Sequence, residues 1–499
     1  MIGRLWLAPI ALMLLAAAPV EALLVAAPIE APAFDRQIGN AAMLVDAGKP
    51  DEALVMLDAM LMTTDLPLEK GQIEGLRSFA LARLNRIPEA HKAIEAGVAS
   101  NPSPSMLLLR QLFLLRAFDG NPAGAADTLL LIAATDAKGL ATLPTEVVTD
   151  VMRAIRKDEA KAFELDYAMV AGGWAPVDMT LADLDWLRLR LITGLVKRGR
   201  LDDARPIVDQ VVNPVILVRM GIDRRFQPLW PAIEKRLGPG ADIADAAYVA
   251  AAKARFDKTP KSLIARLGYA EALNVASREP EAMAVADVAK TPEALAALSD
   301  REIWLVNLHA LLLGDAGKID AAMARFGALN ATPVERHPAL IGTIINEALF
   351  AESVNLPKAA MAAVARAEAL GGTVNGFGQL YLAQVQACAF QQLGQKAEAM
   401  AALAPLIAKP TDNEDAYLAA MICVGRMDAA AAAVIRRLGS EEDRTEMLFS
   451  LQPFLIAERD KVRDARQRAG MRALKARPDV KTAYAKAGRD LPAAVAPPR

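Results

Sequence analysis

Short polar turns interrupt an apolar helical pattern at intervals along the chain. Segment 46–58, DAGKPDEALVMLD, places a Gly and a Pro before two acids and an apolar run, and segments 314–326 and 392–404 resemble it. The apolar residues Leu54, Leu57 and Leu61 recur three and four positions apart, which is the spacing of an amphipathic helix. The pattern therefore predicts a succession of helices separated by short turns.

The turns share one feature, a residue that tolerates positive φ, with an Ala five positions later. Gly adopts positive φ freely and Asn tolerates it, as the cap at the end of a helix requires. Pro and acidic residues, which follow several of these positions, suit the first turn of a new helix. Each turn is therefore predicted to connect the two helices of a hairpin. The turn positions are Gly48, Asn85, Gly120, Gly199, Ser277, Gly317, Asn355, Gly394 and Gly425.

Most turn positions lie roughly 31 to 40 residues apart, and two intervals are about twice as long, so each long interval is predicted to contain one degenerate unit. Segment 78–102 carries Ser78, Asn85, Ala90, Gly97 and Pro102 at the spacing of the tetratricopeptide repeat family, which the chain resembles. The resemblance implies an all-α solenoid of stacked hairpins in a right-handed superhelix. It also implies a concave surface lined by the first helix of each hairpin, where proteins or peptides bind.

The strength of the repeat pattern predicts how the chain is divided. The expected segments are a signal peptide at 1–22, repeats at 35–140, an irregular helical middle with one repeat-like unit at 141–260, further repeats at 261–439, a charged helical cap at 440–490 and a disordered tail at 491–499.

The first residues have the order of a secretory signal. Arg4 precedes an apolar stretch that reaches about Ala18, and a small-residue cleavage site follows at Val20, Glu21 and Ala22. The stretch is shorter than a membrane-spanning helix needs. We therefore expect export to the periplasm of a Gram-negative cell, for which the Ala- and Arg-rich composition also argues. The alternative is an uncleaved segment that anchors the chain to the inner membrane.

Composition argues against several functions. The 59 acidic and 57 basic residues nearly cancel, whereas a nucleic-acid binder normally carries a basic excess. The three His residues are scattered and neither HExxH nor CxxC occurs, so no metal, no cofactor and no enzymatic activity are expected. Cys388 and Cys423 fall at different points of their repeats, which favours two buried thiols; a disulfide in an oxidising compartment is the alternative.

One stretch of the middle segment concentrates arginine and aromatic residues. Arginine can hold carboxylates or phosphates by forked hydrogen bonds and can stack on rings, so this is the candidate binding site. The alternative is an internal ion-pair network with Asp223. A basic excess at 457–489 favours a solvated face; the alternative is a peripheral contact with acidic lipid or another protein. The candidate binding residues are Trp186, Arg219, Arg224, Arg225 and Trp230.

The sequence thus predicts a non-catalytic, protein- or peptide-binding scaffold of the bacterial envelope. The alternative is a repeat protein that binds a glycan or another small envelope ligand at the 170–240 seam. A ligand binder predicts a closed pocket where Trp186, Arg219 and Trp230 converge. A scaffold predicts an open groove whose residues come from several repeats.

Overall fold

The computed structural model describes residues 33–335, 337–456 and 463–497, so the predicted signal peptide lies outside the described residues. Within the described ranges the regular structure is helical, with an isolated antiparallel bridge between Asp223 and Gly488. The chain divides into two compact units between Pro176 and Val177. This division falls inside the segment 141–260 that the sequence treats as one irregular middle.

The first unit consists of four successive helical pairs. Neighbouring helices in the sequence pack against each other, as expected for hairpins. A short 3₁₀ turn at Ala137–Thr142 precedes the last pair. The helices are α1 (Ala33–Asp46), α2 (Pro50–Leu61), α3 (Pro67–Arg83), α4 (Ile87–Ala99), α5 (Met106–Phe118), α6 (Pro122–Thr135), α7 (Thr145–Ala154) and α8 (Glu159–Ala171).

The second unit continues with helical pairs and ends in four helices of the C-terminal segment. It contains α9 (Leu181–Lys197), α10 (Leu201–Val208), α11 (Pro214–Ile222), α12 (Trp230–Leu237), α13 (Asp242–Lys258), α14 (Leu263–Val275), α15 (Glu279–Ala286), α16 (Pro292–Ala296), α17 (Ile303–Asp315), α18 (Ile319–Asn330), α19 (Leu340–Ser353), α20 (Pro357–Ala369), α21 (Gly376–Gln392), α22 (Lys396–Ala402), α23 (Ala404–Ala408), α24 (Glu414–Cys423), α25 (Met427–Gly439), α26 (Arg444–Ser450), α27 (Pro453–Ile456), α28 (Ala465–Ala476) and α29 (Pro478–Ala487).

All nine predicted turn positions have positive φ, from 56° at Ser277 to 77° at Gly394. The hydrogen bonds around them are those of a Schellman cap. At Asn85, for example, the Arg86 N–H donates to the Leu81 carbonyl at 2.9 Å and the Asn85 N–H donates to the Ala82 carbonyl at 3.0 Å. The prediction that these residues reverse the chain between two helices is confirmed.

The Ala that follows each turn lies in the contact between the two helices of its hairpin. Ala53, Ala90, Ala204 and Ala322 are fully buried, and so is the small residue Ser78 in the first helix of its pair. Small side chains at these points let two helix backbones approach closely. The all-α fold of adjacent antiparallel helix pairs is therefore confirmed.

Each long interval between turn positions contains additional helices. The interval after Gly120 contains one extra pair, α7 and α8, as predicted for a single degenerate unit, whereas the interval after Gly199 contains three extra helices, α11, α12 and α13. Between α11 and α12 the chain forms a 3₁₀ helix at Arg224–Leu229 instead of a tight turn. The tandem Gly238 and Gly240, both at positive φ, then turn the chain into α13.

Cys388 and Cys423 form a disulfide that joins α21 to α24, the first helices of two successive hairpins. The expectation of two separate thiols is wrong. Both residues are buried, and the contact between neighbouring first helices brings their Cα atoms to 5.6 Å. Cys388 and Cys423 can pair although they occupy different positions in their repeats, because the packing of adjacent helices sets the distance between their Cα atoms.

The C-terminal segment does more than cover the last hairpin. Helices α28 and α29 pack on α24 and α25, while α26 packs on α11, near the start of the second unit. Of the tail 491–499, expected to be disordered, the described residues 491–497 are also packed: Leu491 is buried and the Ala494 carbonyl accepts a hydrogen bond from the Gly240 N–H at 2.9 Å. We refer to the association of 212–240 with 440–497 as the joint.

No helix among the described residues combines the length and apolar character that crossing a bilayer requires.

Candidate functional site

Arg219, the most buried of the predicted binding residues, is held at the joint by partners from the C-terminal segment. Its Nη2 donates to Glu446 Oε2 at 2.6 Å, and its Nε donates to the same oxygen at 3.1 Å. The guanidinium lies 4.1 Å from the Phe449 ring centroid and 5.0 Å from that of Trp186. The charge of Arg219 is therefore already paired with a carboxylate, and its guanidinium already contacts two aromatic rings of the protein.

Arg225 is held by the fully buried Asp223. Its Nη2 donates to Asp223 Oδ2 at 2.7 Å, and Thr445 donates to the same oxygen at 2.5 Å. Arg225 Nη1 also donates to the Glu441 carbonyl at 2.7 Å. A buried carboxylate thus ties the 3₁₀ helix after α11 to the start of α26, as the internal ion-pair alternative requires.

The other two predicted residues contact different parts of the joint. Arg224 Nη2 donates to the Ala485 carbonyl at 2.9 Å. The Trp230 ring is covered by Arg489, whose guanidinium lies 3.5 Å from the ring centroid, and its Nε1 donates to the Met220 carbonyl at 3.1 Å. Neither residue lines the cavity described next.

Trp186, Arg219 and Arg225 do line one cavity, of about 300 Å³, together with Glu441 and Glu446. Trp186 is 43% exposed there. The convergence expected for a ligand binder is therefore partial, because Trp230 lies elsewhere. The arginines that would have held an anion already bind carboxylates of the same chain, so the geometry favours a structural role for the joint.

A second candidate surface lies along the first helices of the second unit. Helices α14, α17, α19, α21 and α24 contact one another in that order and form a continuous layer. Chain 463–467 crosses part of this layer. The Asp464 N–H donates to the Ser353 carbonyl at 3.1 Å, Arg463 pairs with Asp315 at 3.2 Å, and Gln467 donates to the Ala419 carbonyl at 2.9 Å.

At the other end of this layer, α9, α14 and α17 enclose an open cavity of about 400 Å³. We refer to it as the Glu271 pocket. Trp304, 37% exposed, lies on its wall with Leu308 and Asn307 from the same helix. The pocket is lined by Thr180, Asp183, Ile264, Leu267, Glu271, Arg301, Trp304, Asn307, Leu308 and Leu311.

Glu271 is the unusual residue of this pocket. Its Oε2 is buried and makes no hydrogen bond within the part of the chain that the structure describes. Burial, with a smaller contribution from the nearby Asp183 carboxylate, raises the pKa of Glu271 to about 8. The carboxyl group is therefore mostly protonated at neutral pH.

A larger cavity, of about 440 Å³, lies where α20, α21 and α23 meet. The Gly-rich stretch 371–378 borders it, with Asn375 capping α21 by accepting a hydrogen bond from the Gly378 N–H at 2.8 Å. The polar group Glu368 already accepts a hydrogen bond from Gln386 at 2.8 Å. This cavity therefore has no unsatisfied group comparable with Glu271.

Within the described ranges no group of three or more His, Cys, Asp or Glu residues is placed to hold a metal ion. His309 lies in α17, and its pKa is lowered by burial and by the neighbouring Arg325. Its charge is thus suppressed by surrounding protein.

None of the residues that line the Glu271 pocket is among the binding residues predicted from the sequence. A signal was present, because Glu271 lies on the same helical face as Ile264 and Leu267 and so interrupts an apolar stripe with a charge. Asp183 and Trp304, which line the same pocket, lie far from Glu271 in the sequence. Their convergence therefore depends on the stacking of hairpins.

Comparison with known proteins gives little further identification. No family model and no curated protein matches the chain. Among solved structures, the chain is similar to one titled "Structure of Naa15/Naa10 bound to HypK-THB", with 14% sequence identity and a TM-score of 0.26. The match covers 91% of this chain and 79% of that one.

Proposed function

We propose that the protein is a non-catalytic scaffold, similar to tetratricopeptide repeat proteins, that binds a partner polypeptide on the first-helix surface of its second unit. The observation that carries the proposal is the Glu271 pocket, an open cavity whose walls come from three helices of different hairpins. A surface that spans several hairpins suits an extended segment, since each hairpin adds one more set of contacts.

The composition of the pocket supports a polypeptide partner. Trp304 and Leu308 supply apolar area, while Asn307 and Glu271 supply polar groups that can fix the orientation of a bound segment. Aromatic residues such as Trp are enriched at the centres of protein interfaces, where they supply apolar contact area. Residues 463–467 cover part of the layer of first helices. The Glu271 pocket lies at the other end of that layer and opens to the surface.

For location, we propose export to the periplasm, with a cleaved N-terminal signal. Two features support it: the order of charged, apolar and small residues at 1–22, and the disulfide between Cys388 and Cys423. Disulfides persist in oxidising compartments such as the bacterial periplasm. We propose no membrane contact through the C-terminal helices, because their basic side chains are paired within the protein: Arg477 with Asp428, Lys475 with Asp490 and Arg489 with Glu234.

Site-specific photo-crosslinking in living cells tests the proposal. A benzophenone amino acid replaces Trp304, which keeps a large aromatic side chain in the pocket, and the matched control replaces Met400, an exposed residue of the second helix α22. We expect one or a few discrete crosslinked polypeptides from position 304 and none of them from position 400. The same bands from both positions, or none from position 304, would contradict the proposal.

A further inference from the structure

The charges around the Glu271 pocket balance only while Glu271 is protonated. Arg301 Nη2 lies 3.4 Å from Asp183 Oδ2, and its Nη1 lies 3.8 Å from Asp178 Oδ2. Arg255 of α13 also interacts electrostatically with Asp178 and Asp183. Two guanidinium groups thus face two carboxylates, and an ionised Glu271 adds a third negative charge.

The remaining neighbours of Glu271 do not supply a positive charge. Tyr248 of α13 is buried, and its pKa is raised by burial and by the charges of Glu271, Asp185 and Asp183, so it stays a neutral phenol.

Helix α17 contributes Trp304 and Asn307 to the pocket, and neither side chain carries a charge. Asn307 Oδ1 already accepts a hydrogen bond from Asn346 at 3.1 Å. On α15, Glu281 is paired with Arg278 at an exposed turn.

An incoming cation would complete this arrangement. It would give the buried Oε2 of Glu271 a partner and balance the third carboxylate. The exposed indole of Trp304 lines the same pocket from α17, where it can cover the aliphatic stem of a long basic side chain or attract its charge through the ring face. An anionic ligand is disfavoured, because Arg301 is already shared by two carboxylates.

We propose that the Glu271 pocket binds a lysine or arginine side chain of the partner polypeptide, with the cationic group at the Glu271 carboxylate and the stem against Trp304. This inference rests on the proposed function, since it names the part of the partner that the scaffold recognises. It assigns Glu271 as the specificity-determining residue.

Binding of such a side chain releases a proton. In the free protein the Glu271 carboxyl is protonated below about pH 8, since burial and the Asp183 charge raise its pKa to that value. A bound cation favours the ionised form and lowers that pKa. The affinity for a basic side chain therefore rises with pH up to about pH 8, by roughly 5- to 10-fold between pH 6.5 and 7.5.

Calorimetric titration of the full chain with short peptides tests the inference. One alanine-based pentapeptide carries a central lysine, and its control carries norleucine, which has a similar stem without the charge. Titrations at millimolar peptide in buffers of different ionisation enthalpy count the protons released. We expect at least a tenfold preference for lysine, close to one proton released at pH 7, and the stated rise in affinity with pH.

Variants separate recognition from folding. Glu271→Gln should abolish both the lysine preference and its pH dependence, whereas Glu271→Asp should retain part of each. The matched control is Glu352→Gln, because Glu352 is also a buried glutamate with a raised pKa, of about 7, but accepts a hydrogen bond from Gln392 at 2.8 Å. It should leave both unchanged. Equal binding of the norleucine peptide, a lysine preference that survives Glu271→Gln, or no binding of the lysine peptide would overturn the inference.

The two proposals fail in different ways. If position 304 crosslinks a partner and Glu271→Gln leaves the yield unchanged, the scaffold function stands and the recognition of a basic side chain is wrong. If position 304 crosslinks nothing, the proposed function fails first.

Discussion

The hairpins at 263–439 and the joint between 212–240 and 440–497 belong to the same unit but are stabilised differently. In the hairpins, each chain reversal is made by a residue at positive φ and by hydrogen bonds to carbonyls three to five residues back. In the joint, Asp223, Arg219 and Arg489 bind partners more than 200 positions away in the sequence. One region depends on local backbone chemistry and the other on distant charges.

The same contrast separates the two cavities. Near Arg219 the C-terminal segment supplies the matching carboxylate, so arginine and aromatic residues serve to hold two distant segments together. In the Glu271 pocket the buried Oε2 of Glu271 has no hydrogen-bond partner among the described residues. Residue type alone therefore does not distinguish a binding site from a structural contact. The distinction depends on whether each buried polar group already has a partner within the chain.

The largest effect is expected at the joint, from Asp223→Ala. The variant leaves Arg225 and Thr445 without the buried carboxylate that accepts their hydrogen bonds. Removing one partner of a buried ion pair costs about 3–5 kcal/mol, measured as the change in the free energy of unfolding of the second unit in urea.

The control for this variant is Asp257→Ala, which removes an ion pair with Lys253 that is half exposed. Exposed pairs contribute about 0–1 kcal/mol, so little change is expected. Similar losses for the two variants would show that the joint does not depend on its buried charge.

The disulfide should matter next. Cys388→Ser, with Cys423→Ser in the same chain, removes the covalent link between α21 and α24 and should lower the free energy of unfolding by about 2–4 kcal/mol. Thermal unfolding of both proteins with and without a reductant tests whether the disulfide stabilises the fold. The wild-type protein should lose stability on reduction and the double variant should not respond. A wild-type chain indifferent to the reductant would contradict the assignment.

A smaller effect is expected at the hairpin turns. Gly394 has φ of +77°, and an added Cβ would meet no atom within 4 Å, so Gly394→Ala tests backbone conformation alone. Alanine in this region costs about 1–2 kcal/mol. The control is Gly327→Ala in the middle of α18, where the added Cβ also meets nothing. Alanine should stabilise that helix by about 0.5–1 kcal/mol. Chemical denaturation should give opposite signs for the two variants.

The last effect concerns how stability changes with pH, rather than its value at one pH. The pKa of Glu271 is about 8 in the folded chain, against an ordinary value of 4.5, so the folded state binds the proton more tightly. Its contribution is complete below about pH 4.5 and is lost as the pH rises towards 8. Glu271→Gln should therefore flatten the fall of the melting temperature between pH 5 and pH 8. An unchanged slope would contradict the raised pKa.

The sequence was informative where structure is local. Gly394, Asn355 and Ser277 revealed the hairpin turns because a helix cap requires a particular backbone conformation. The joint could not be predicted, since nothing near Arg219 indicates that Glu446 will approach it. The disulfide was misjudged for the same reason. The Glu271 pocket combines both cases: its buried charge was visible in an apolar stripe, whereas the facing Trp304 and Asp183 depend on how hairpins stack.

Hydrogen exchange of the full chain, free and bound to the polypeptide identified from position 304, shows directly whether the partner binds at the Glu271 pocket. Exchange should slow in α14 and α17, which line that pocket, and stay unchanged in α11 and α26, which meet at the joint. Protection confined to α11 and α26, with α14 and α17 unaffected, would show that the partner binds elsewhere.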